Sequence, residues 1–366
     1  MLQRAVGPSG ATRTRGFLLP KQAPYQLGYT RICLRYAVTL PTEGNAPYYK
    51  ASEIKLQGRK RIDLRKFPCY TVSDLHTHAT AGGGNDMNND MRGLEVVAAK
   101  GRLLGLDMVY HCASGHLGGS FSAMDILTVL YFDVMRVDPK DPKDPDRDRF
   151  VLSKGHCTPA LYPILAQRGY FPEEELQMFR SVEGHMSGHA EMHHVKGVDM
   201  STGSLGQGIS AAVGMALAGK LDKKDYRVYS LLGDGEIEEG QVWEAFMAAA
   251  KYKLDNLCAV IDVNGLQIDG ATADVMPTEP LDKKLEAFGW HVIKVDGHDL
   301  AALENAFQLA QDYKGAPTMI LAKTVKGKGV SFMENQAGWH GKAPNEEQYQ
   351  QARQELVAAL AEKEGK

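Results

Sequence analysis

Cysteine is scarce in this sequence, and its arrangement excludes several classes of small protein. The five cysteines form no C-x-x-C pair, and their number is odd. Such a set makes neither a disulfide framework nor a cysteine-rich zinc site, and it is typical of a protein in a reducing compartment. They are Cys33, Cys69, Cys112, Cys157 and Cys258. We therefore predict free thiols and a cytoplasmic location.

Long apolar runs and the common nucleotide-binding loops are also missing. No apolar run approaches the roughly 20 residues of a membrane-spanning helix, so we predict no membrane partner. No G-x-x-x-x-G-K-[ST] loop occurs. The segment 203–208 reads GSLGQG, which departs from G-x-G-x-x-G, follows no clear strand and has no suitable acidic residue after it. These absences argue against a P-loop and against a dinucleotide-binding fold.

Acidic residues are nearly absent from the N-terminal part of the chain. Residues 1–85 contain 13 Lys and Arg against 4 Asp and Glu, a net charge of +9, whereas the rest has 29 against 41, a net charge of −12. Three interpretations stay open for this basic extension, which we assign to residues 1–90: a start-site artefact or disordered tail, an added interaction segment, or a targeting segment. Met87 and Met91 are alternative starts. For the whole chain we expect no nucleic-acid partner.

From residue 91 onward the sequence alternates between helical and strand patterns. Apolar residues recur at helical spacing, and short apolar runs rich in strand formers stand between them. With 366 residues, 43% of them hydrophobic, the chain is long enough for a sizeable core. The alternation predicts an α/β fold with a doubly wound, mainly parallel sheet flanked by helices over residues 91–345. A C-terminal helix over 346–366 follows, where Asn345 and Gln348 have the spacing of a capping box.

Polar residues end two neighbouring strands in the middle of the chain. The apolar run 228–232 stops at Gly233-Asp234-Gly235, and the run 257–261 leads to Asn264, with a predicted helix between them. In a parallel βαβ unit both strands point the same way, so Asp234 and Asn264 emerge at the same edge of the sheet. Their oxygens suit Mg²⁺, and a helix beginning just after Gly235 offers free N–H groups to phosphate. The segment therefore predicts a site for a magnesium-bound diphosphate.

Four histidines stand beside glycine, just after a predicted element ends. They are His116, His156, His189 and His340. A single loop histidine is more often structural or solvated, but four in one α/β domain favour a common site. A neutral imidazole donates and accepts hydrogen bonds at once, so it suits hydroxyl and phosphate oxygens and the transfer of protons. The acidic residues before the next helix, Glu239 among them, are equally typical of simple helix-dipole partners. His76 and His78, in the extension, are more typical of solvated side chains than of metal ligands.

The motifs together resemble one enzyme family. Gly233-Asp234-Gly235, followed by Asn264 thirty residues after Asp234, resembles the diphosphate motif of thiamine-diphosphate enzymes. The neighbouring segments narrow the resemblance to the transketolase family over about residues 92–345. They read SGHLGGS (114–120), DRFVLSKGH (148–156), GHMSGHAE (184–191), TGSLGQGIS (202–210), NGLQIDGAT (264–272) and WHGKAP (339–344). Deoxyxylulose-phosphate synthases share the first motif but typically lack the SKGH and HGKAP context.

The resemblance implies which residues bind the cofactor, thiamine diphosphate, and its metal. Asp234, Asn264 and the Leu266 backbone carbonyl match the metal ligands, for Mg²⁺ or for Ca²⁺ or Mn²⁺ in its place. Val263 departs from the family, in which many members have a polar residue before the asparagine. The cofactor contacts of the family fall on His156, Gly203, Leu205, Gly235, Asn264, Ile268 and His340.

The resemblance also implies catalytic residues. His116 and His189 match the histidines near the carbonyl and hydroxyls of the donor sugar, and His340 matches one on the diphosphate side. Glu239 matches an acid that meets the catalytic glutamate of a second domain across an interface. Glu244 is a candidate to continue that contact.

The implied activity is transfer of a two-carbon ketol unit from a ketose phosphate to an aldose phosphate, in the pentose phosphate pathway. Full-length transketolases continue into a pyrimidine-binding domain and a third domain, so the chain resembles the N-terminal subunit of a split enzyme. The implied assembly is a heterotetramer with two C-terminal subunits and homodimeric contacts. Two alternatives stay open: a related thiamine-diphosphate subunit that forms deoxyxylulose phosphate or dihydroxyacetone, and a non-catalytic assembly subunit.

Overall fold

Five parallel strands form the centre of the protein in the computed structural model, which describes residues 91–365. The strands are β1 (Arg149–Leu152), β2 (Val228–Gly233), β3 (Leu257–Val263), β6 (His291–Asp296) and β7 (Thr318–Lys323). They lie in the order β1-β2-β3-β7-β6, and each neighbouring pair is parallel. A two-stranded antiparallel ribbon, β4 (Leu266–Gln267) and β5 (Gly270–Ala271), follows β3 directly and was not expected from the sequence.

Helices separate the strands along the chain. They are α1 (Met91–His111), α2 (Leu117–Val129), α3 (Thr158–Arg168), α4 (Gln207–Leu221), α5 (Gly240–Lys251), α6 (Thr272–Val275), α7 (Leu281–Ala287), α8 (Leu300–Asp312) and α9 (Glu346–Glu364). Short 3₁₀ turns cover Gly155–Cys157, Glu173–Met178, Glu236–Glu238 and Ala337–Trp339. All these elements lie in one compact unit of the chain.

Two hydrophobic cores lie on the two faces of the sheet. Alternate residues of β2 enter different cores: Tyr229 and Leu231 belong to one, and Val228 and Leu232 to the other. The first core also contains residues of α1, α2, α3 and α8, and the second contains residues of α4, α5 and α7. A sheet buried on both faces by helices is the doubly wound arrangement that the sequence predicted.

The helix α2 continues as a π-helical turn over Leu130–Val134. By length and composition the stretch Leu117–Val134 is able to cross a membrane, contrary to the prediction that no apolar run is long enough. However, 83% of this stretch is buried inside the protein, as in a core helix, and one such helix is weak evidence for a membrane span.

Three local predictions differ from the structure. The sequence of residues 172–180 fits a helix, but the structure has the 3₁₀ turn Glu173–Met178 there. Residues 112–120 read as a glycine-rich loop in the sequence, but they already contain the first turn of α2, because His116 is the N-cap residue. Small residues are needed in that turn, since a Cβ on Gly118 would lie 2.9 Å from the Trp339 carbonyl oxygen. The third difference lies between Gly235 and α5, at the candidate site.

The C-terminal helix has the cap that the sequence predicted. The Asn345 side chain accepts a hydrogen bond from the Gln348 N–H at 2.9 Å, and the Gln348 side chain accepts one from the Asn345 N–H at 3.1 Å. Cys112, Cys157 and Cys258 are free thiols. The predictions for the basic extension, His76, His78 and the other two cysteines lie outside the described residues.

Candidate functional site

The carboxyl ends of β2 and β3 meet at one cavity, as their parallel arrangement requires. The Asp234 carboxylate, after β2, accepts a hydrogen bond at 2.5 Å from the Gly265 N–H, after β3. The cavity has a volume of about 190 Å³. Its lining residues are Gly119, Lys154, His156, Leu205, Gly233, Asp234, Gly235, Glu236, Asn264, Leu266, Gln267, Ile268, Lys326 and His340.

The backbone between Asp234 and α5 differs from our prediction. The α-helix does not begin just after Gly235: the 3₁₀ turn Glu236–Glu238 intervenes, and α5 begins at Gly240. Glu236 turns inward and is 2% exposed. Its carboxylate accepts hydrogen bonds from the Gly206 and Gly233 N–H groups at 2.9 and 3.0 Å. The N–H groups that we assigned to phosphate as a helix N-terminus therefore do not form one.

Three oxygen donors at these strand ends suit a divalent metal. They are the Asp234 carboxylate, the Asn264 amide oxygen and the Leu266 carbonyl. Burial, with the nearby Asp262, raises the pKa of Asp234 to about 6. The Leu266 carbonyl accepts a hydrogen bond from the Lys326 ammonium at 3.1 Å, so a positive charge already lies against one of the three donors. No group of three or more His, Cys, Asp and Glu within residues 91–365 forms a metal site, so a site here depends on amide and backbone oxygens.

A buried ion pair lies beneath the cavity, and it was not predicted from the sequence. The Lys154 ammonium lies 2.5 Å from the Asp262 carboxylate, and both side chains are almost fully buried. Burial alone raises the pKa of Asp262, but the Lys154 charge and hydrogen bonds from Ser122 and Thr324 outweigh it and lower that pKa. Asp262 lies inside β3, directly after the apolar run 257–261, and a charged residue within a buried strand is the sequence signal from which such a partner could have been predicted.

The four predicted histidines come together next to this cavity. The ring centroids of His156 and His340 are 5.1 Å apart, and those of His116 lie 5.1 Å from His156 and 5.5 Å from His340. His189 is further out, 6.1 Å from His116. The segments that carry them are far apart in sequence, so only the fold brings them together.

All four imidazoles are held in the neutral form. Burial, with the Arg180 charge, lowers the pKa of His116 to about 4. Burial, with the Lys326 charge, lowers the pKa of His340 to about 3. Burial lowers the pKa of His156 well below its ordinary value, and burial with Arg180 lowers that of His189. At neutral pH each ring is therefore both a donor and an acceptor.

Lys326 is a second basic residue of the site that was not predicted from the sequence. Its side chain is buried, and its Nζ lies 3.0 Å from His340 Nδ1. Burial, with the Lys154 charge, lowers its pKa to about 8. Lys154 and Lys326 together line the cavity with positive charge, which suits the oxygens of a diphosphate.

The other predicted site residues differ in solvent exposure and in whether they line the cavity. Leu205, Gly235 and Ile268 line the cavity, and Ile268 is 66% exposed. Gly203 has φ +151, and a Cβ there would lie 3.1 Å from the His189 ring, so only glycine fits without displacing that ring. Glu239 is exposed and lies outside the cavity lining, with its side chain beside Gly206.

Comparisons with known proteins identify the family and the fold that this chain resembles. The family model described as "Transketolase, thiamine diphosphate binding domain" matches residues 94–362. The 6-deoxy-6-sulfo-D-fructose transketolase subunit of Clostridium sp. (strain MSTE9) is 47% identical over 72% of this chain and 94% of its own length. An apulose-4-phosphate transketolase subunit of Phocaeicola vulgatus is 44% identical over 72% of this chain and 93% of its own length.

Single-chain transketolases match over less than half of their length. Human transketolase is 42% identical over 75% of this chain, which spans 43% of it. The crystal structure of transketolase from Campylobacter jejuni superimposes with a TM-score of 0.68 and 32% identity, over 74% of this chain and 45% of that one. These matches confirm the predicted family and fold. The chain therefore belongs to the transketolase family, of which it carries the thiamine-diphosphate-binding domain.

Proposed function

We propose that this chain is the N-terminal subunit of a transketolase that transfers a two-carbon ketol unit from a ketose phosphate to an aldose phosphate, with thiamine diphosphate and Mg²⁺. The observation that carries this proposal is the cavity at the ends of β2 and β3, where Asp234, Asn264 and the Leu266 carbonyl lie beside neutral imidazoles. Two relatives that match this chain over more than nine-tenths of their length are named as transketolase subunits, which supports it.

The proposed roles follow from charge and position. Asp234, Asn264 and Leu266 hold the metal through oxygen atoms. His156, His340 and Lys326 face the same cavity and bind diphosphate oxygens. Thiamine diphosphate, when bound, supplies the carbanion and the electron sink for breaking and forming the carbon–carbon bond.

The outer imidazoles chiefly orient the sugar through hydrogen bonds, and proton transfer is their lesser role. His116 and His189 lie on the outer side of the histidine group, where they bind the sugar's carbonyl and hydroxyl oxygens. Because their pKa values are depressed, they accept protons weakly and act chiefly as hydrogen-bonding groups at neutral pH.

The proposed partner is a separate polypeptide with the pyrimidine-binding and third domains of the family. Glu239 and Ile268 support this part of the proposal, because both are exposed although they lie beside the site. In the proposed heterotetramer Glu239 meets a glutamate of that partner. The proposal also includes a cytoplasmic location.

The names of two relatives add two sugars to the candidate substrates of this chain. One is named for 6-deoxy-6-sulfo-D-fructose and another for apulose 4-phosphate. The pentose phosphate pathway is thus one setting for this chain, and both sugars belong in the substrate panel beside xylulose 5-phosphate.

The decisive experiment mixes this chain with its candidate partner, thiamine diphosphate and Mg²⁺. Ketol transfer is measured from each donor to ribose 5-phosphate. We expect transfer only when both chains are present. Transfer by this chain alone would refute the requirement for a partner, and no transfer from any donor by the complete mixture would refute the transketolase activity.

The metal assignment has its own test in Asp234→Asn. We expect loss of Mg²⁺-dependent cofactor binding, because the amide removes the only carboxylate of the proposed donor set. Isothermal titration of thiamine diphosphate with and without Mg²⁺ measures this. The control is Asp222→Asn, an exposed carboxylate after α4, which should bind like the wild type. Binding by Asp234→Asn as tight as wild type would remove Asp234 from the metal site.

A further inference from the structure

His298 lies in a short turn between β6 and α8, outside the cavity of the candidate site. Its Nε2 accepts a hydrogen bond from the Val325 N–H at 2.9 Å, so this nitrogen carries no hydrogen. The hydrogen of the ring is therefore on Nδ1, which donates to the Asp125 carboxylate at 2.6 Å. His298 thus joins a buried carboxylate to the backbone of loop 324–329, which follows β7.

Asp125 holds this imidazole in one orientation. Its buried carboxylate accepts hydrogen bonds from both terminal nitrogens of Arg102, at 3.0 and 2.5 Å. Arg102 Nη2 also donates to the Phe121 carbonyl at 3.1 Å. Because a bidentate guanidinium leaves a carboxylate little freedom to rotate, the histidine ring that donates to it is fixed as well.

The turn that carries His298 packs directly against the start of the same loop. The Gly297 N–H donates to the Lys323 carbonyl at 2.7 Å, and a Cβ on Gly297 would lie 2.5 Å from the Thr324 side chain. The Asp296 side chain accepts a hydrogen bond from the His298 N–H at 2.9 Å. Both the backbone and the side chain of His298 are therefore fixed beside the loop.

Loop 324–329 carries Lys326 into the candidate site. The residue before Lys326 is held by His298, and the Gly327 N–H after it donates to the Gly118 carbonyl at 2.9 Å. A Cβ on Gly118 would lie 3.1 Å from the Lys326 side chain, so this side chain runs closely over the first turn of α2. The position of its ammonium group therefore follows the position of the loop backbone.

The Lys326 ammonium has one donor left for a ligand. It donates to the Leu266 carbonyl at 3.1 Å and lies 3.0 Å from His340 Nδ1. An ammonium group has three N–H donors, and the third has no partner within residues 91–365. A diphosphate oxygen in the cavity is an acceptor of the right charge. The third donor keeps a defined direction only while the ammonium stays between Leu266 and His340.

We propose that His298, held by Asp125, is a positioning residue of the proposed ketol transfer: it fixes the backbone before Lys326 and thereby keeps the ammonium group directed at the cofactor cavity. His298 itself lines two other cavities, of about 660 and 490 Å³, and not the one that contains Lys326. Its action on the reaction is therefore indirect. This inference rests on the proposed function, in which Lys326 binds diphosphate oxygens.

The test is His298→Gly in the complete enzyme, assayed for ketol transfer with and without added imidazole. We expect the KM for thiamine diphosphate to rise roughly 10-fold, near the lower value of a charge-assisted hydrogen bond, while kcat at saturating cofactor changes less than about twofold. Because the His298 side chain is 14% exposed and lines two cavities, free imidazole is able to take its place. Imidazole supplies the same donor and acceptor, so it should restore the KM to within about twofold of wild type.

Three controls separate positioning from a general loss of stability. N-Methylimidazole accepts a hydrogen bond but donates none, so it should not restore the KM of His298→Gly. His298→Phe keeps a ring in place without either hydrogen bond, and it should show the same rise in KM with no effect of imidazole. His291→Gly removes a partly buried imidazole from the opposite end of β6, where the ring stacks on Tyr313. It should lower the melting temperature and leave the KM for the cofactor unchanged.

An unchanged KM in both His298→Gly and His298→Phe would overturn the proposal. A fall in kcat without a change in KM would overturn it too, because a protein that is only less stable loses active enzyme rather than cofactor affinity. Equal restoration by imidazole and N-methylimidazole would overturn the role of the Asp125 contact.

An NMR measurement separates this inference from the proposed function. The full chain is labelled in its histidine rings, and the His340 resonances of the variants are compared without cofactor. Lys326→Met removes the ammonium from His340 Nδ1 and is the reference for a displaced lysine. We expect His298→Gly to shift the His340 resonances towards those of Lys326→Met, and imidazole to reverse the shift. His340 resonances identical to wild type in His298→Gly would refute the positioning role, whether or not the complete enzyme transfers ketol units.

Discussion

At the scale of single residues, the fold favours the uncharged forms of several ionisable groups of the site. Four imidazoles stay neutral because burial and nearby cations oppose their protonation. Burial and the nearby Asp262 likewise favour the uncharged form of Asp234, which is its protonated carboxyl group. Both features are expected of a site that is completed by a metal ion and a polyanion, which replace the missing solvation.

The depressed pKa of His116 leads to a prediction for the pH dependence of stability. The pKa is about 6.5 in the unfolded chain and about 4 in the folded one, so the unfolded state binds more protons between these values. The contribution of His116 is complete above pH 6.5 and is lost as the pH falls towards 4. At pH 5 it amounts to a loss of about 2 kcal/mol.

We therefore expect His116→Gln to reduce the fall in stability between pH 8 and pH 5 by about 2 kcal/mol. Urea unfolding of the cofactor-free chain at the two pH values measures it. The control is His193→Gln, an exposed histidine, which should keep the wild-type slope. A slope in His116→Gln equal to wild type would show that the imidazole titrates normally.

At the scale of elements, a buried polar network joins the strand ends beneath the cavity. The ion pair links Lys154, after β1, to Asp262 in β3. Ser122 of α2 donates to the same carboxylate at 2.6 Å, and Thr324, after β7, donates to it as well. Asn264 Nδ2 lies 3.4 Å from Asp262, so the network reaches a proposed metal ligand. The relative position of these elements thus depends on one buried carboxylate.

Removing one partner of this pair should be far more harmful than removing both. Lys154→Met leaves Asp262 buried without its counter-charge, and we expect a loss of about 3–5 kcal/mol in the free energy of unfolding. The double variant Lys154→Met with Asp262→Asn removes both charges of this pair and should recover most of that loss. Chemical denaturation measures all three proteins.

The exposed pair Lys220–Asp255 offers the matched control. Lys220→Met should cost at most about 1 kcal/mol, because solvent screens such a pair. A double variant less stable than Lys154→Met alone would contradict the assigned coupling between the two charges.

At the scale of the whole molecule, the described residues correspond to one domain of a larger family architecture. The chain spans 94% of a relative named as a transketolase subunit and 43% of human transketolase. The family model begins at residue 94, and α1 already buries Leu94 in the first core. The domain that holds the site thus begins close to Met91.

A chain that starts at Met87 should therefore keep the function assigned to the domain. We expect its affinity for thiamine diphosphate in the presence of Mg²⁺ to stay within about twofold of the full chain, as for a domain with its own core. Titration calorimetry and thermal unfolding of both chains check this. A clear loss of affinity, or a protein that does not fold, would assign residues 1–86 a part in the site or in its stability.

Several features followed from the sequence because they depend on local pattern. Apolar runs that end at Asp234 and Asn264 predicted two parallel strands and a shared edge, since side-chain period and strand direction are set by neighbouring residues. The Asn345 capping box followed from spacing in the same way. Each of the four glycine–histidine motifs was recognisable by itself.

Tertiary structure alone decided the electrostatics and the relative positions of these motifs. Burial and charge at a residue come from segments distant in sequence, as with Arg180 beside His116, so no local pattern reveals them. The 3₁₀ turn Glu236–Glu238 before α5 also depended on distant contacts, because Glu236 folds inward to accept hydrogen bonds from Ser153 and Gly206. The sequence determined which residues can take part in the site, and the packing of the sheet and loops decided which are neutral, which are paired and which still lack a partner.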